Sequence, residues 1–139
     1  MDLLAPVSSL MSDKLITVEP EDTIKKVEQL FKENRIHHLP VVEGEKLIGI
    51  VSKSDYLFFK RGFNDEATDN RIDEFRLKTR KVKDIMTKGI ARLEPTDRLG
   101  VAVEVFKENL FHAIPVVEGE KLVGLITTFD IITKLAEDK

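Results

Sequence analysis

Residues 7–57 are written a second time as residues 82–132, at a constant offset of 75 positions and without a gap. The strongest stretch reads FKEN-x-x-H-x-x-PVVEGEKL-x-G, once from Phe31 to Gly49 and again from Phe106 to Gly124. Between Met11–Leu57 and Met86–Ile132, 19 of 47 positions are identical, and many of the rest are conservative pairs such as Val51/Ile126 and Ser52/Thr127. A repeat present twice is not a solenoid, which needs about three or more stacked units. A body of about 50 residues would bury only a marginal core alone. The two copies are therefore expected to pack as one cooperative body with pseudo-twofold symmetry, whose faces and clefts come in near-symmetric pairs.

Composition narrows the classes. With 42% hydrophobic and 34% charged residues, the chain has the balance of a soluble globular protein. It contains no cysteine, which excludes disulfides and thiolate metal sites. No apolar run approaches the roughly 18 residues of a membrane span, and no basic-then-apolar leader opens the sequence, so a cytoplasmic location and no membrane partner are expected. A net charge of −3 and a pI near 5.7 make nucleic acid an unlikely main partner.

Along the first copy, Leu15–Val18 is a short β-favouring run closed by Glu19-Pro20. Residues Asp22–Asn34 then place Ile24, Val27, Leu30 and Phe31 at amphipathic helix spacing, with Asp22 as the expected N-cap and Asn34 as the end. The runs Leu39–Val42 and Leu47–Val51 flank Glu43-Gly44-Glu45-Lys46 and read as a hairpin with a four-residue turn. A second helix is expected from Ser52. The unit is thus β-α-β-β-α, an α+β design, and the second copy repeats it from Leu99 to a helix starting at Thr127. A short helical lead precedes each copy, Val7–Met11 and Val82–Met86. The expected organisation is a single module over 1–139, with a first motif at 7–59, a charged connector at 60–81 and a second motif at 82–135. The connector region ends in a basic cluster, Arg76, Lys78, Arg80, Lys81 and Lys83. Its simplest reading is a solvated connector with part of a helix; a phosphate or partner contact is the alternative.

Both copies carry one constellation where the second hairpin strand meets the following helix: Gly49-Ile-Val-Ser52-Lys-Ser-Asp55 and Gly124-Leu-Ile-Thr127-Thr-Phe-Asp130. A hydroxyl at a helix start, beside unpaired N–H groups and the positive dipole end, suits an anion. An acid three residues on can accept hydrogen bonds from vicinal sugar hydroxyls. Glycine on the strand lets another group approach the backbone. The same S/T-x-x-D spacing is also a capping box that merely satisfies the helix's own N-terminal groups. Duplication copies caps as faithfully as sites, so the residues leave both readings open. His37, His38 and His112 all precede the hairpin, as phosphate contacts or as ordinary strand-edge histidines. Adjacent histidines in a strand point to opposite faces, so they give no metal spacing. No nucleophile–base–orienter set and no G-x-x-x-x-G-K-[ST] loop occurs, so catalysis has no support.

Taken in order, IHHLPVVEGEKLIGIVSKSD and FHAIPVVEGEKLVGLITTFD resemble the signature hairpin and G-x-h-[ST]-x-x-D motif of the cystathionine β-synthase (CBS) domain family. The resemblance covers both repeats. It implies a Bateman module, two CBS motifs whose clefts each draw on both repeats and bind adenosine-containing ligands. On that resemblance Asp55 and Asp130 would accept the ribose hydroxyls, with Ser52 and Thr127 near ribose and phosphate. His37 and His112 match a histidine that faces phosphates in the gamma subunit of AMP-activated protein kinase, and His38 stands where that subunit often has arginine. Thr17, Val18, Arg92 and Leu93 match the first-strand region flanking adenine. The pairs His38/Ala113, Thr17/Arg92 and Lys53/Thr128 make the two clefts chemically unequal.

The function implied is a non-catalytic sensor of AMP, ADP, ATP or a related adenosyl ligand, with no cofactor required. A ligand shifts such a module only by binding one conformation better than another, which implies a regulated partner, either a separate protein or a second copy in a homodimer. The competing reading is a structural dimerisation or docking module whose clefts stay empty and whose Ser52/Asp55 and Thr127/Asp130 pairs are caps.

Overall fold

The computed structural model describes residues 1–61, 70–109 and 111–138. Residues 62–69, the middle of the expected connector, lie outside them. The chain divides into two α+β units that do not follow the repeat boundaries. One, the first-repeat unit, comprises residues 16–44 and 48–89; the other, the second-repeat unit, comprises 1–15, 45–47 and 90–139. The lead of each repeat therefore folds with the opposite repeat.

In the first-repeat unit, helix α1 (Ile24–Glu33) starts one residue later than expected. Thr23 is the N-cap, its hydroxyl oxygen accepting from the Lys26 N–H at 3.2 Å. Asp22 is drawn into the preceding turn, where its carboxylate accepts from the Glu19 N–H at 2.7 Å. Asn34 closes the helix, its N–H donating to the Leu30 carbonyl at 3.1 Å. The Leu15–Val18 run forms no full strand: Val18 makes one parallel bridge to Val41, and Glu19-Pro20 turns the chain away. Strands β1 (His38–Glu43) and β2 (Lys46–Ser52) are joined by a two-residue turn, Gly44-Glu45, shorter than the four residues expected. Gly44 has φ +61°, a left-handed conformation that costs glycine nothing.

Helix α2 (Lys53–Arg61) follows β2, and α3 (Asn70–Thr79) packs on α1. The connector is thus not wholly solvated, since Leu77 on α3 joins the core of Val18, Ile24, Val27 and Tyr56. Helix α4 (Val82–Ile85), the lead of the second repeat, seals the same core with the fully buried Val82.

The second-repeat unit mirrors this plan. A single 3-10 turn (Val7–Ser9) buries Val7 against Leu99, Ala102 and Ile126. Burying each lead valine is worth roughly 1.5–3 kcal/mol, enough to hold a segment so short. Helix α5 (Leu99–Asn109) leads to the antiparallel pair β3 (Ala113–Glu118) and β4 (Lys121–Thr127), in register from Ala113/Thr127 to Glu118/Lys121 with an irregularity between Val116 and Val117. Residues 45–47 add to the free side of β4, the Leu47 N–H donating to the Glu120 carbonyl and the Leu122 N–H to the Glu45 carbonyl, each at 3.0 Å. Helix α6 (Thr128–Glu137) closes the unit.

Among the described residues, no helix is long and apolar enough to cross a membrane.

Candidate functional site

Within each unit, backbone hydrogen bonds gather the expected site residues at one end of the hairpin. In the first-repeat unit, the Val18 N–H donates to the Pro40 carbonyl at 3.0 Å, and the Val42 N–H returns to the Val18 carbonyl at 2.9 Å. This parallel pairing sets Thr17 and Val18 beside β1, with Thr17 toward its histidine end. The Lys53 N–H donates to the His37 carbonyl at 2.7 Å, which ties the start of β1 to the first turn of α2. The second-repeat unit repeats each bond: Leu93 N–H to Pro115 carbonyl at 3.0 Å, Val117 N–H to Leu93 carbonyl at 2.8 Å, and Thr128 N–H to His112 carbonyl at 3.0 Å. Thr17, Val18, His37, His38, Ser52 and Asp55 thus converge in one unit, and Arg92, Leu93, His112, Thr127 and Asp130 in the other.

The helix starts are closed capping boxes. Asp55 Oδ2 accepts from the Ser52 N–H at 2.9 Å while Ser52 Oγ accepts from the Asp55 N–H at 3.0 Å. Asp130 and Thr127 do the same at 2.8 and 3.1 Å. Each helix therefore has fewer vacant donors than the spacing suggests. Of the first three N–H groups of α2, that of Lys53 serves His37 and that of Asp55 serves Ser52, which leaves Ser54. On α6 the corresponding remainder is Phe129. Each carboxylate uses only Oδ2 in its box, so the second oxygen keeps its acceptor capacity.

The two junctions differ as the sequence pairs suggest. His37 and His112 are exposed at equivalent places, whereas His38 is half-buried and interacts with neighbouring groups where the second repeat has Ala113. Exposed Arg92 reaches the Leu47 carbonyl at 3.5 Å, a contact that Thr17 cannot make. Gly49 and Gly124 do admit close neighbours, but these are the Thr87 carbonyl and Met86 thioether at Gly49 and the Met11 thioether at Gly124. A groove of about 500 Å³ in the second-repeat unit, lined by Leu3, Leu4, Arg98 and Val101 among others, contains none of these residues.

One cluster was missed by motif reading. Glu28 on α1 is only 4% exposed and accepts from the Tyr56 hydroxyl, with Lys60 Nζ at 3.3 Å and Lys25 Nζ at 3.4 Å. Burial pushes its carboxyl up, but the hydrogen bonds from Tyr56 and Lys60 and the charges of Lys60 and Lys32 outweigh that and hold it at about 2. The signal was available: position 28 falls on the buried stripe of Ile24, Val27 and Phe31. The basic cluster is also less free than it reads. Lys81 and Lys83 both pair with Glu21, at 2.6 and 2.8 Å, and their hydrogen bonds bring that carboxyl down to about 2. Lys78 lies 3.8 Å from Glu74.

The model of the CBS domain family matches residues 7–62 and again residues 82–137. The chain belongs to the CBS domain family. The two matches together make the chain a tandem CBS pair. It is 33% identical over 118 residues to an inosine-5'-monophosphate dehydrogenase of Korarchaeum cryptofilum, covering 84% of this chain and 21% of that one. It is also 33% identical over 135 residues to the uncharacterized protein MJ0188 of Methanocaldococcus jannaschii, covering 94% of this chain and 44% of that one. The chain thus spans a fifth to under half of these relatives. Among solved structures it is similar to CBSX2 in complex with AMP, with TM-score 0.78, 25% identity, and coverage of 96% and 97% of the two chains. The CBS domain pair of protein MJ0100, in complex with 5-methylthioadenosine and S-adenosyl-L-methionine, shares the fold with TM-score 0.78 at 20% identity, covering 98% and 99%.

Proposed function

We propose that this CBS pair is a sensor that binds an adenosine nucleotide at its two strand-to-helix junctions and passes its occupancy to a regulated protein. The observation that carries this reading is the convergence, in each unit, of a hydroxyl, a carboxylate with one uncommitted oxygen, a histidine and a backbone segment beside the first hairpin strand, β1 or β3. The binding of AMP by CBSX2 and of adenosyl ligands by the MJ0100 pair supports the ligand class.

In this reading Asp55 and Asp130 accept the ribose hydroxyls, and Ser52 and Thr127 lie near ribose and phosphate. His37, His38 and His112 meet phosphate oxygens, while Thr17, Val18, Arg92 and Leu93 flank the base. The junction with Thr17, His38 and Lys53 offers more groups suited to a multiply charged phosphate than the one with Ala113 and Thr128. Arg92 gives the latter a different base-side contact. The two sites share a plan and differ in affinity.

Self-association belongs to the same proposal. Leu57 and Phe58 on α2 are 48% and 73% exposed, and Phe129 and Ile132 on α6 are 73% and 62% exposed. Exposed apolar side chains grouped on a helix mark association surfaces, and a homodimer through either helix would cover its pair.

The second reading, a docking module with unused junctions, draws support from the closed capping boxes. Isothermal titration calorimetry with AMP, ATP, S-adenosylmethionine and NAD separates the two. The sensor reading expects saturable heat with at least one adenosyl ligand, weakened by Asp55→Asn or Asp130→Asn. Silence from all four with folded protein would remove it.

A further inference from the structure

We propose that Met11 and Met86 are paired oxidation sites, and that converting their thioethers to sulfoxides releases the two lead segments from the strands they close. The contact is one of packing, independent of any bound nucleotide.

The two methionines occupy the same notch in the two units. A β-carbon on Gly49 of β2 would lie 3.1 Å from Met86 Sδ and 2.9 Å from the Thr87 carbonyl oxygen. One on Gly124 of β4 would run into Met11 Sδ, and would lie 3.0 Å from its Cγ and 3.2 Å from its Cε. The thioether therefore fills the space that any other residue's side chain would take. The next residue of each lead then pairs with the strand edge. Ser12 and Leu125 exchange two hydrogen bonds of 2.9 Å, and Thr87 and Ile50 exchange two of 2.9 and 3.0 Å. Sulfur packing and edge pairing thus form one latch, built twice.

Met11 and Met86 are both half-buried residues rather than members of the sealed cores. A small oxidant such as hydrogen peroxide can reach them. A sulfur lone pair attacks one peroxide oxygen, forming the S–O bond as the O–O bond breaks. The sulfur is oxidised by two electrons to the sulfoxide. The transferred oxygen's proton passes to the departing hydroxide, giving water. The product is larger, polar and reversible by methionine sulfoxide reductases. Packed against a glycine backbone, it has no room for the added oxygen on the strand side, so the sulfoxide must turn out of the notch, and the edge pair loses the packing that holds it. Val7 and Val82 stay buried in their cores, which confines the opening to the ends of the leads. Gly124 is the tighter notch, so Met11 is the more sensitive latch. Ile50 and Leu125 lie two residues before Ser52 and Thr127, so the opening reaches each junction.

The test treats the folded full chain with hydrogen peroxide, maps sulfoxides by peptide mass spectrometry, and follows amide hydrogen exchange. The expected result is oxidation at Met11 and Met86, with exchange at Ser12, Leu125, Ile50 and Thr87 accelerated by at least about tenfold. Reductases of both sulfoxide stereospecificities should reverse it. The Met11→Leu/Met86→Leu variant conserves volume and should keep its protection after peroxide; the single variants should each keep one latch. Sulfoxides at both positions with unchanged exchange would overturn the proposal. So would protection of both methionines while Met1 is oxidised, or equal loosening of the leucine variant.

Discussion

The two units carry the same junction on differently built scaffolds. In the first-repeat unit, α1 and α2 are joined by a polar knot, Glu28 with Tyr56 and Lys60. At the positions 75 residues on, the second repeat has Val103, Ile131 and Leu135, all apolar. Helix α3 packs on α1 in the first-repeat unit and has no counterpart among the described residues of the other. The hairpin, the capping box and the histidine before it are retained in both. The helix–helix contact is thus changed from polar to apolar, whereas at the junction a hydroxyl, a carboxylate and one histidine are common to both copies even though His38/Ala113 and Lys53/Thr128 differ. A cap alone would tolerate many residues, so retention of a histidine beside it favours a binding role for the junction.

Breaking the polar knot gives the largest contrast. Removing one partner of a buried charged cluster leaves the others without compensation, so Glu28→Ala is expected to cost about 3 kcal/mol. Val103→Ala, its counterpart, should cost about 1 kcal/mol for the lost methyl groups. Urea denaturation of both variants checks this, and equal costs would erase the distinction between the units. The same knot sets an acid sensitivity. The Glu28 carboxyl titrates near 4.5 when unfolded and is held at about 2 in the folded chain. Between those values the unfolded state binds more protons, so this stabilisation is complete above about pH 4.5 and is lost as pH falls toward 2. Stability measured against pH should drop through that window in the wild type, with a shallower slope in Glu28→Gln.

The glycine notches come next. Gly49→Ala meets the Thr87 carbonyl, a backbone atom that cannot move without breaking the edge pair, and about 2 kcal/mol of destabilisation is expected. Gly124→Ala meets only the flexible Met11 side chain, and about 1 kcal/mol is expected. Thermal denaturation should therefore rank Gly49→Ala below Gly124→Ala. The smallest contrast is between the caps. Ser52→Ala and Thr127→Ala each remove one equivalent hydrogen bond, and both should cost about 1 kcal/mol. A difference well beyond that would show that one hydroxyl does more than cap.

Much of this plan is legible in the sequence because duplication marks it. The hairpin strands, the main helices and the Ser52/Asp55 and Thr127/Asp130 pairs follow from local pattern, whereas the Leu15–Val18 run is reduced to a single bridge at Val18. Thr23 replaces Asp22 as the cap because the acid is taken by the turn before it, a competition that spacing does not reveal. The exchange of leads between units is invisible, because Val7–Met11 and Val82–Met86 advertise an apolar face without naming its partner. The same holds for Gly49 and Gly124: their need for a close neighbour could be read, but the neighbour's identity is tertiary. Glu28 was legible and overlooked, since a carboxylate on an apolar stripe, at a position where the other copy has Val103, announces a buried partner.

The most direct measurement of the central claim is an amide NMR titration of the folded chain with AMP. The account predicts shifts clustered at residues 37–38, 52–55 and 127–130, saturating at different AMP concentrations in the two units, with Asp55→Asn removing one set and Asp130→Asn the other. Spectra that do not change, or shifts confined to surfaces away from both junctions, would contradict it.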